Sequence, residues 1–218
     1  AETVRFDGTK VSPQEGGFYP LLRRMGKDHN LPASGLLLLS SQNSFDTSIY
    51  TPVLFTQDKL VLEAKLPSKI IKKTFSFPKD PSRYPYCVDV EIEIIGNKKD
   101  LSISSGVPDV ELISGTTGAA LKYRIIKGEK SDVVSLDLPP NDFHSTTISP
   151  DWTATSNGFF AIILDPIIGT KPGLTFRKIG QDIAPSRLTE LSQFSSLELP
   201  GYRSELPLDA NAPSCKTR

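Results

Sequence analysis

Eighteen prolines and fifteen glycines are spread over 218 residues, and they leave no stretch suited to a long helix. Between these breakers lie short segments in which apolar and polar residues alternate, the period of a half-buried strand. The clearest is CVDVEIEIIGNKKD, Cys87 to Asp100. Val88, Val90, Ile92 and Ile94 fall on one face of such a strand, and Asp89, Glu91 and Glu93 on the other. Further strands are expected at 3–6, 35–40, 53–55, 60–66, 69–77, 86–95, 101–105, 110–113, 119–126, 133–138, 146–149, 157–164 and 174–179. One short helix is expected at 185–196, where Pro185 suits a first turn and Leu188, Leu191 and Phe194 recur at helical spacing. A second is expected at 20–26. The chain therefore reads as all-β, a large two-sheet antiparallel sandwich with one or two short helices.

The acidic alternation raises a question of chemistry. A glycosidase needs two carboxylates roughly 5–9 Å apart, and alternate strand positions lie about 6.5–7 Å apart. One of the pair must also sit in an apolar pocket that raises its pKa. The neighbouring segment KIIKKTFSF, Lys69 to Phe77, argues for a different surrounding. Ile71, Phe75 and Phe77 share one face with Lys73, whereas Lys72, Thr74 and Ser76 share the other. If the two strands pair, the acids meet lysine and hydroxyls, and one allowed register sets Lys72 opposite Glu91. Asp89, Glu91 and Glu93 then form a solvated face. No catalytic residue is assigned.

Other classes of site fare no better. Charge is balanced, with 25 basic and 25 acidic residues, so no strong field gathers nucleic acid or an anionic surface. Cys87 and Cys215 form no CxxC pair and the chain has two histidines, which excludes a zinc site of the usual kind. The two cysteines could pair in an oxidising compartment, whereas Cys87 alone reads as a small apolar residue at a strand start. DVEIE lacks the glycine turn of a calcium loop, and SGTTG, Ser114 to Gly118, is a polar turn followed by a strand rather than a phosphate-cradling helix. His29 and His144 have no acid at a recognisable spacing. Trp152 could stack on a ligand but fits a core or sheet-edge anchor better. The longest apolar run, FFAIIL at Phe159 to Leu164, is far short of the ~20 residues that cross a bilayer. The opening AETVRFDG carries no signal-peptide pattern, the proline-rich LPGYRSELPLDANAP reads as a loop or linker, and the last stretch, SELPLDANAPSCKTR, reads as cut rather than finished. No metal and no cofactor are expected.

The order of segments carries a resemblance that no single segment does. IIKKTFSFPKDPSRYPYCVDVEIEIIGNKKDLSIS is similar to the middle of the large periplasmic domain of the YidC family of membrane protein insertases. The matching features are Lys73, Phe75 and Phe77, a turn with Tyr84 or Tyr86, the strand Val88 to Ile94, Asn97, and Leu101 to Ser104. Upstream, Gly16 and Gly17 resemble the family's glycine-pair strand; downstream, Trp152, Phe159, Phe160 and Pro166 resemble its tryptophan strand and the aromatic strand that follows. The resemblance covers residues 3–180. It implies a β-supersandwich over 1–180, like galactose mutarotases; the tail over 181–218 departs from the family's pattern and reads as a helix and loop continuation of the same domain. It also implies a non-enzymatic accessory surface for translocon components and nascent membrane proteins, at the periplasmic face of the bacterial inner membrane, anchored by transmembrane segments that these residues lack. An alternative is a carbohydrate-binding or mutarotase-like sandwich, which would need His144 beside Glu91 or Glu111. A third is a secreted interaction module of the same fold class.

Overall fold

A computed structural model describes residues 48–106, 120–156, 158, 160–183 and 198–218, together with the strand segments 38–40, 112–113 and 116–117. In chain order the strands are β1 (Leu38–Ser40), β2 (Thr51–Phe55), β3 (Lys59–Leu66), β4 (Lys69–Ser76), β5 (Asp89–Gly96) and β6 (Leu101–Ser104). A small hairpin, β7 (Leu112–Ile113) and β8 (Thr116–Thr117), precedes β9 (Ala120–Lys127), β10 (Lys130–Leu136), β11 (Phe143–Ser145) and β12 (Trp152–Ser156). The last five are β13 (Ala161–Leu164), β14 (Pro166–Ile168), β15 (Leu174–Ile183), β16 (Glu198–Pro207) and β17 (Ser214–Thr217). Both expected helices, the strand at 3–6 and His29 lie outside the described residues.

The strands form three main antiparallel sheets in a sandwich-like arrangement, where the sequence suggested two. Their orders are β1-β6-β16-β15-β11, β10-β9-β12-β13 and β14-β17-β5-β4-β3-β2. One apolar cluster joins all three. Ile71, Val90, Ile92 and Ile94 come from the six-stranded sheet, Ile103, Leu174, Phe176 and Leu206 from the five-stranded sheet, and Leu121, Tyr123 and Leu164 from the four-stranded sheet. β5 shows the expected alternation, with Val90, Ile92 and Ile94 buried and the acids half-exposed. Lys73 lies on the aliphatic face as its phase requires; it is buried, with its ammonium 4.3 Å from the centre of the Tyr50 ring. Cation–π contact is one way to carry a charge there.

Several sequence expectations are corrected. β5 begins at Asp89 rather than at residue 86, because Tyr86 adopts a left-handed φ of 63°, which ends the turn and cannot continue a ladder. Lys72 pairs with Glu93 and Thr74 with Glu91, two residues from the register proposed above. A two-residue slip preserves faces, so periodicity alone could not separate the two registers. The strand expected at 146–149 lies instead at Phe143–Ser145, where Phe143 packs on Phe176 with ring centroids 6.3 Å apart. The loop-or-linker reading of LPGYRSELPLDANAP fails at β16, and β17, just beyond it, was not expected. β16 is the middle strand of the five-stranded sheet, and β17 lies between β14 and β5. Prolines sit at the margins of β16: Pro207 is its last residue, and Pro200 faces Gln181 at a shift in register. Bulges and strand ends are where a sheet tolerates proline.

Two buried hydroxyls on β12 show how polar atoms are handled between sheets. Thr153 Oγ1 donates to Ser204 Oγ at 2.8 Å, bridging the four- and five-stranded sheets. Thr155 Oγ1 is buried and has no hydrogen-bond partner. Thr155→Val keeps the shape and removes that stranded hydroxyl. It is expected to raise stability by about 1 kcal/mol in urea unfolding, since a buried polar atom without a partner carries an uncompensated desolvation cost.

Candidate functional site

The outer face of β5 is the place to look for chemistry, because it carries three carboxylates in a row. β4 and β17 flank it and supply partners to each. Lys72 Nζ donates to Glu93 Oε1 at 2.8 Å. Ser214 Oγ donates to Glu91 Oε1 at 3.0 Å, and Lys216 Nζ lies 3.3 Å from Glu91 Oε2. Arg218 Nε donates to Asp89 Oδ1 at 2.6 Å, with its guanidinium 4.0 Å from the centre of the Tyr84 ring. The hydrogen bond to Glu93 and its charge hold the Lys72 ammonium above its usual pKa, and the hydrogen bond to Asp89 does the same for Arg218. Each acid is thus matched by a cation across the sheet. A general acid needs the opposite, an apolar surrounding that favours the neutral carboxyl.

Such half-exposed ion pairs contribute little, about 0.2–1 kcal/mol each. A variant with Asp89→Asn, Glu91→Gln and Glu93→Gln together is therefore expected to fold, losing about 1–3 kcal/mol in denaturant titration by the sum of those pairs. A loss well above that range would show the row doing more than pairing charge.

His144 lies in β11, exposed, with Nδ1 2.8 Å from Thr175 Oγ1. His144 Nδ1 is engaged by Thr175 and Glu91 by Ser214 and Lys216, and among the described residues no hydrogen bond or ion pair joins the proposed pair of His144 with Glu91. Glu111 lies outside the described residues. A cleft of about 480 Å³ does open beside His144, lined by Asp100, Ser102, Lys171, Thr175 and Glu205. Of its two acids, Asp100 and Glu205, the second is already engaged. Arg177 Nε and Arg203 Nε each donate to Glu205 Oε1 at 2.8 Å, and Arg177 also reaches Asp142 Oδ2 at 2.8 Å. Glu205 and Arg203 are buried. Burial pulls the Arg203 guanidinium below its usual pKa, against the pull of Glu205. The sequence reading missed this cluster. Its signal was the alternation Arg203, Glu205 inside YRSELP, concealed by the flanking prolines.

The remaining candidates are placed as follows. Trp152 is a half-buried residue of β12 facing Arg124 on β9. Of the polar turn SGTTG, Thr116 and Thr117 form β8, where Thr116 faces Ile113 of β7. The two cysteines are free and in different surroundings: Cys87 is half-buried in the β4–β5 connection, and Cys215 is buried on β17, opposite Ile92. Burial pushes the Cys215 thiol up to about 11. A thiol-specific reagent near pH 8 is therefore expected to modify Cys87 and spare Cys215 until the protein unfolds. The unfolded chain, with its thiol near 8.5, ionises first. Stability from this group is intact below about pH 8.5 and declines as pH rises toward 11, by about 3 kcal/mol in all. Cys215→Ser is expected to remove that part of the alkaline decline. Among the described residues no cluster of three or more histidines, cysteines or acids could hold a metal ion, and no helix is long and apolar enough to cross a membrane.

Fold and site together define an all-β module whose acidic strand is a charge-paired sheet face. Its relatives are membrane protein insertases named YidC. That of Chlamydia muridarum (strain MoPn / Nigg) is 33% identical over 216 residues, 93% of this chain and 27% of the relative. That of Chlamydia trachomatis serovar D is 31% identical over 225 residues, 97% of the chain and 28% of the relative. That of Chlamydia caviae is 32% identical over 219 residues, 94% of the chain and 27% of the relative. No family profile matches, and no solved structure matches significantly. The chain is similar to these YidC membrane protein insertases over nearly its whole length, and it spans little more than a quarter of the length of the curated relatives it matches.

Proposed function

We propose that this chain is a periplasmic domain of an inner-membrane protein insertase, and that it acts without catalysis, as an accessory contact surface for translocon subunits or emerging membrane proteins. Residues 1–180 and 181–218 act as one unit in this reading. The observation that carries it is the alignment of nearly the whole chain with one quarter of proteins named as membrane protein insertases. The all-β architecture fits a module that sits outside the bilayer beside a separate membrane core. The charge-paired row on β5 fits a surface rather than an active centre.

Two measurements test the reading. In a full-length relative, a membrane-impermeant maleimide applied to spheroplasts should label a cysteine placed at the position matching Lys130, exposed on β10, and labelling only after lysis would overturn the periplasmic assignment. Deleting the segment while keeping the rest should leave most insertion of a reporter membrane protein intact, and complete loss would overturn the accessory role.

A further inference from the structure

Apolar side chains gather without cover at one end of the six-stranded sheet. Antiparallel pairing brings the β2–β3 turn and the β4–β5 connection to the same end, because Phe55 faces Leu60, Lys59 faces Ser76 and Ser76 faces Asp89. There Phe55 is 81% exposed, Phe77 63%, Val88 42%, and Tyr86 fully. A soluble surface tolerates such residues singly, whereas a cluster on neighbouring tips marks a contact. The tips are preformed. Thr56 N donates to Lys59 O at 2.8 Å, closing the turn, and Phe77 N donates to Asp58 O at 3.3 Å, tying the end of β4 to it. A groove of about 190 Å³ runs between them, lined by Phe55, Leu60, Phe75, Phe77 and Val88.

The charges around this end decide which partner fits. Asp89 and Glu91 are already matched by Arg218 and Lys216. Lys59 and Lys79, which line the adjoining groove, make no ion pair among the described residues. Asp58 and Asp80 offset them: Asp58 accepts from Thr56 Oγ1, and Asp80 accepts from the Arg83 backbone N–H. The end is therefore near neutral, with aromatic rings at its tips and lysine stems beside them. That combination suits the headgroup layer of a bilayer, where aromatic rings settle and lysines extend toward water. An added peptide strand fits less well. The open edge is β2, which contains Pro52, without an N–H, and shifts register between Pro52 and Leu54.

Resting on the insertase reading for the presence of a nearby membrane, we propose that this end of the six-stranded sheet is an interfacial docking surface that inserts Phe55, Phe77 and Tyr86 into the headgroup region of a phospholipid bilayer. Insertion is driven by the rings, so it needs no anionic lipid.

The test uses the 218-residue chain and phosphatidylcholine vesicles, with and without phosphatidylglycerol. Co-sedimentation is expected with both and should persist in high salt. The pair Phe55→Ser and Phe77→Ser, both on exposed positions, is expected to leave the melting temperature unchanged and to lower the partition coefficient by about ten-fold or more for each ring. Absence of vesicle binding overturns the proposal, as does binding that the double variant does not weaken or that requires phosphatidylglycerol. Self-association abolished by the same double variant, without vesicle binding, would assign the surface to a second copy. Capture of an apolar peptide in place of vesicles would assign it to a protein partner. The spheroplast labelling is independent, so the insertase reading can fail there while vesicle binding stands.

Discussion

Glu205→Ala is expected to lower the stability of the folded chain by about 3–5 kcal/mol, the cost of removing one partner from a buried ion pair. Glu205 receives Arg177 and Arg203 on one carboxylate oxygen, both at 2.8 Å. Its side chain is 8% exposed and that of Arg203 is 3% exposed. Without the carboxylate, two guanidinium groups face each other across the β15–β16 ladder, one of them almost out of water. Repulsion between them is weak at the dielectric of a sheet surface and strong where burial removes solvent. Arg177 is more exposed and also holds Asp142 at 2.8 Å, so Arg177→Ala is expected to cost only about 1 kcal/mol, as for a surface pair. Urea unfolding of the two variants, compared at unchanged m-value, checks the contrast. A loss below about 1 kcal/mol for Glu205→Ala would mean that the carboxylate is solvated and that the buried network of three charges is wrong.

Ending the chain at Pro213 is expected to abolish cooperative folding. The deletion removes β17, whose ladder joins β5 on one side and β14 on the other. It strips Cys215 from Ile92, uncovers the outer row at Glu91, and frees Asp165, which exchanges two backbone hydrogen bonds with Arg218 at 2.8 Å. It also takes Thr217 Oγ1 from the Asp165 carbonyl. A domain has about 5–15 kcal/mol in hand, and the loss of an internal strand of a core sheet exceeds what such a margin absorbs. The measurement is the near-ultraviolet signal of Trp152 and the tyrosines with temperature. A sharp transition within a few degrees of the full chain would show that β17 is dispensable.

The residues that were easy to read explain why others were not. β5 was legible because its two faces differ in kind, aliphatic against acidic, and a strand buried on one side writes that difference into the sequence at period two. β4 was legible to the same degree, down to the inward phase of Lys73. The register between them was not, since a slip of two residues changes partners but not faces. β16 was missed because it is buried on both faces: Tyr202, Ser204 and Leu206 point one way while Arg203 and Glu205 point the other, and all are inside. A polar pair that is satisfied by neighbours from another strand looks like a loop when read alone. β17 was missed because SCKT is short and its inward residues, Cys215 and Thr217, carry no aliphatic mark. The lysine and hydroxyl neighbours of the acidic row were legible from the adjoining segment, whereas the exposed aromatic end could not be foreseen, because Phe77 continues the phase of the buried Ile71 and Lys73 and Phe55 lies on β2, a strand with every residue exposed.

The insertion of β16 and β17 between strands from much earlier in the chain sets the timing of assembly. β6 waits for β16, and β5 waits for β17, across separations of about a hundred residues or more. Neither of the two larger sheets can close while residues 198–217 are still within the ribosome or a translocation channel. Until then β5 and β6 present open ladders, and their apolar faces lack a cover. Contacts this distant in sequence form slowly and leave collapsed intermediates prone to wrong pairings. A chain emerging from its first residue onward therefore passes through a long interval in which almost every strand exists and neither of the two larger sheets is complete, and whatever holds the unfinished chain during that interval governs how much of it reaches the folded state.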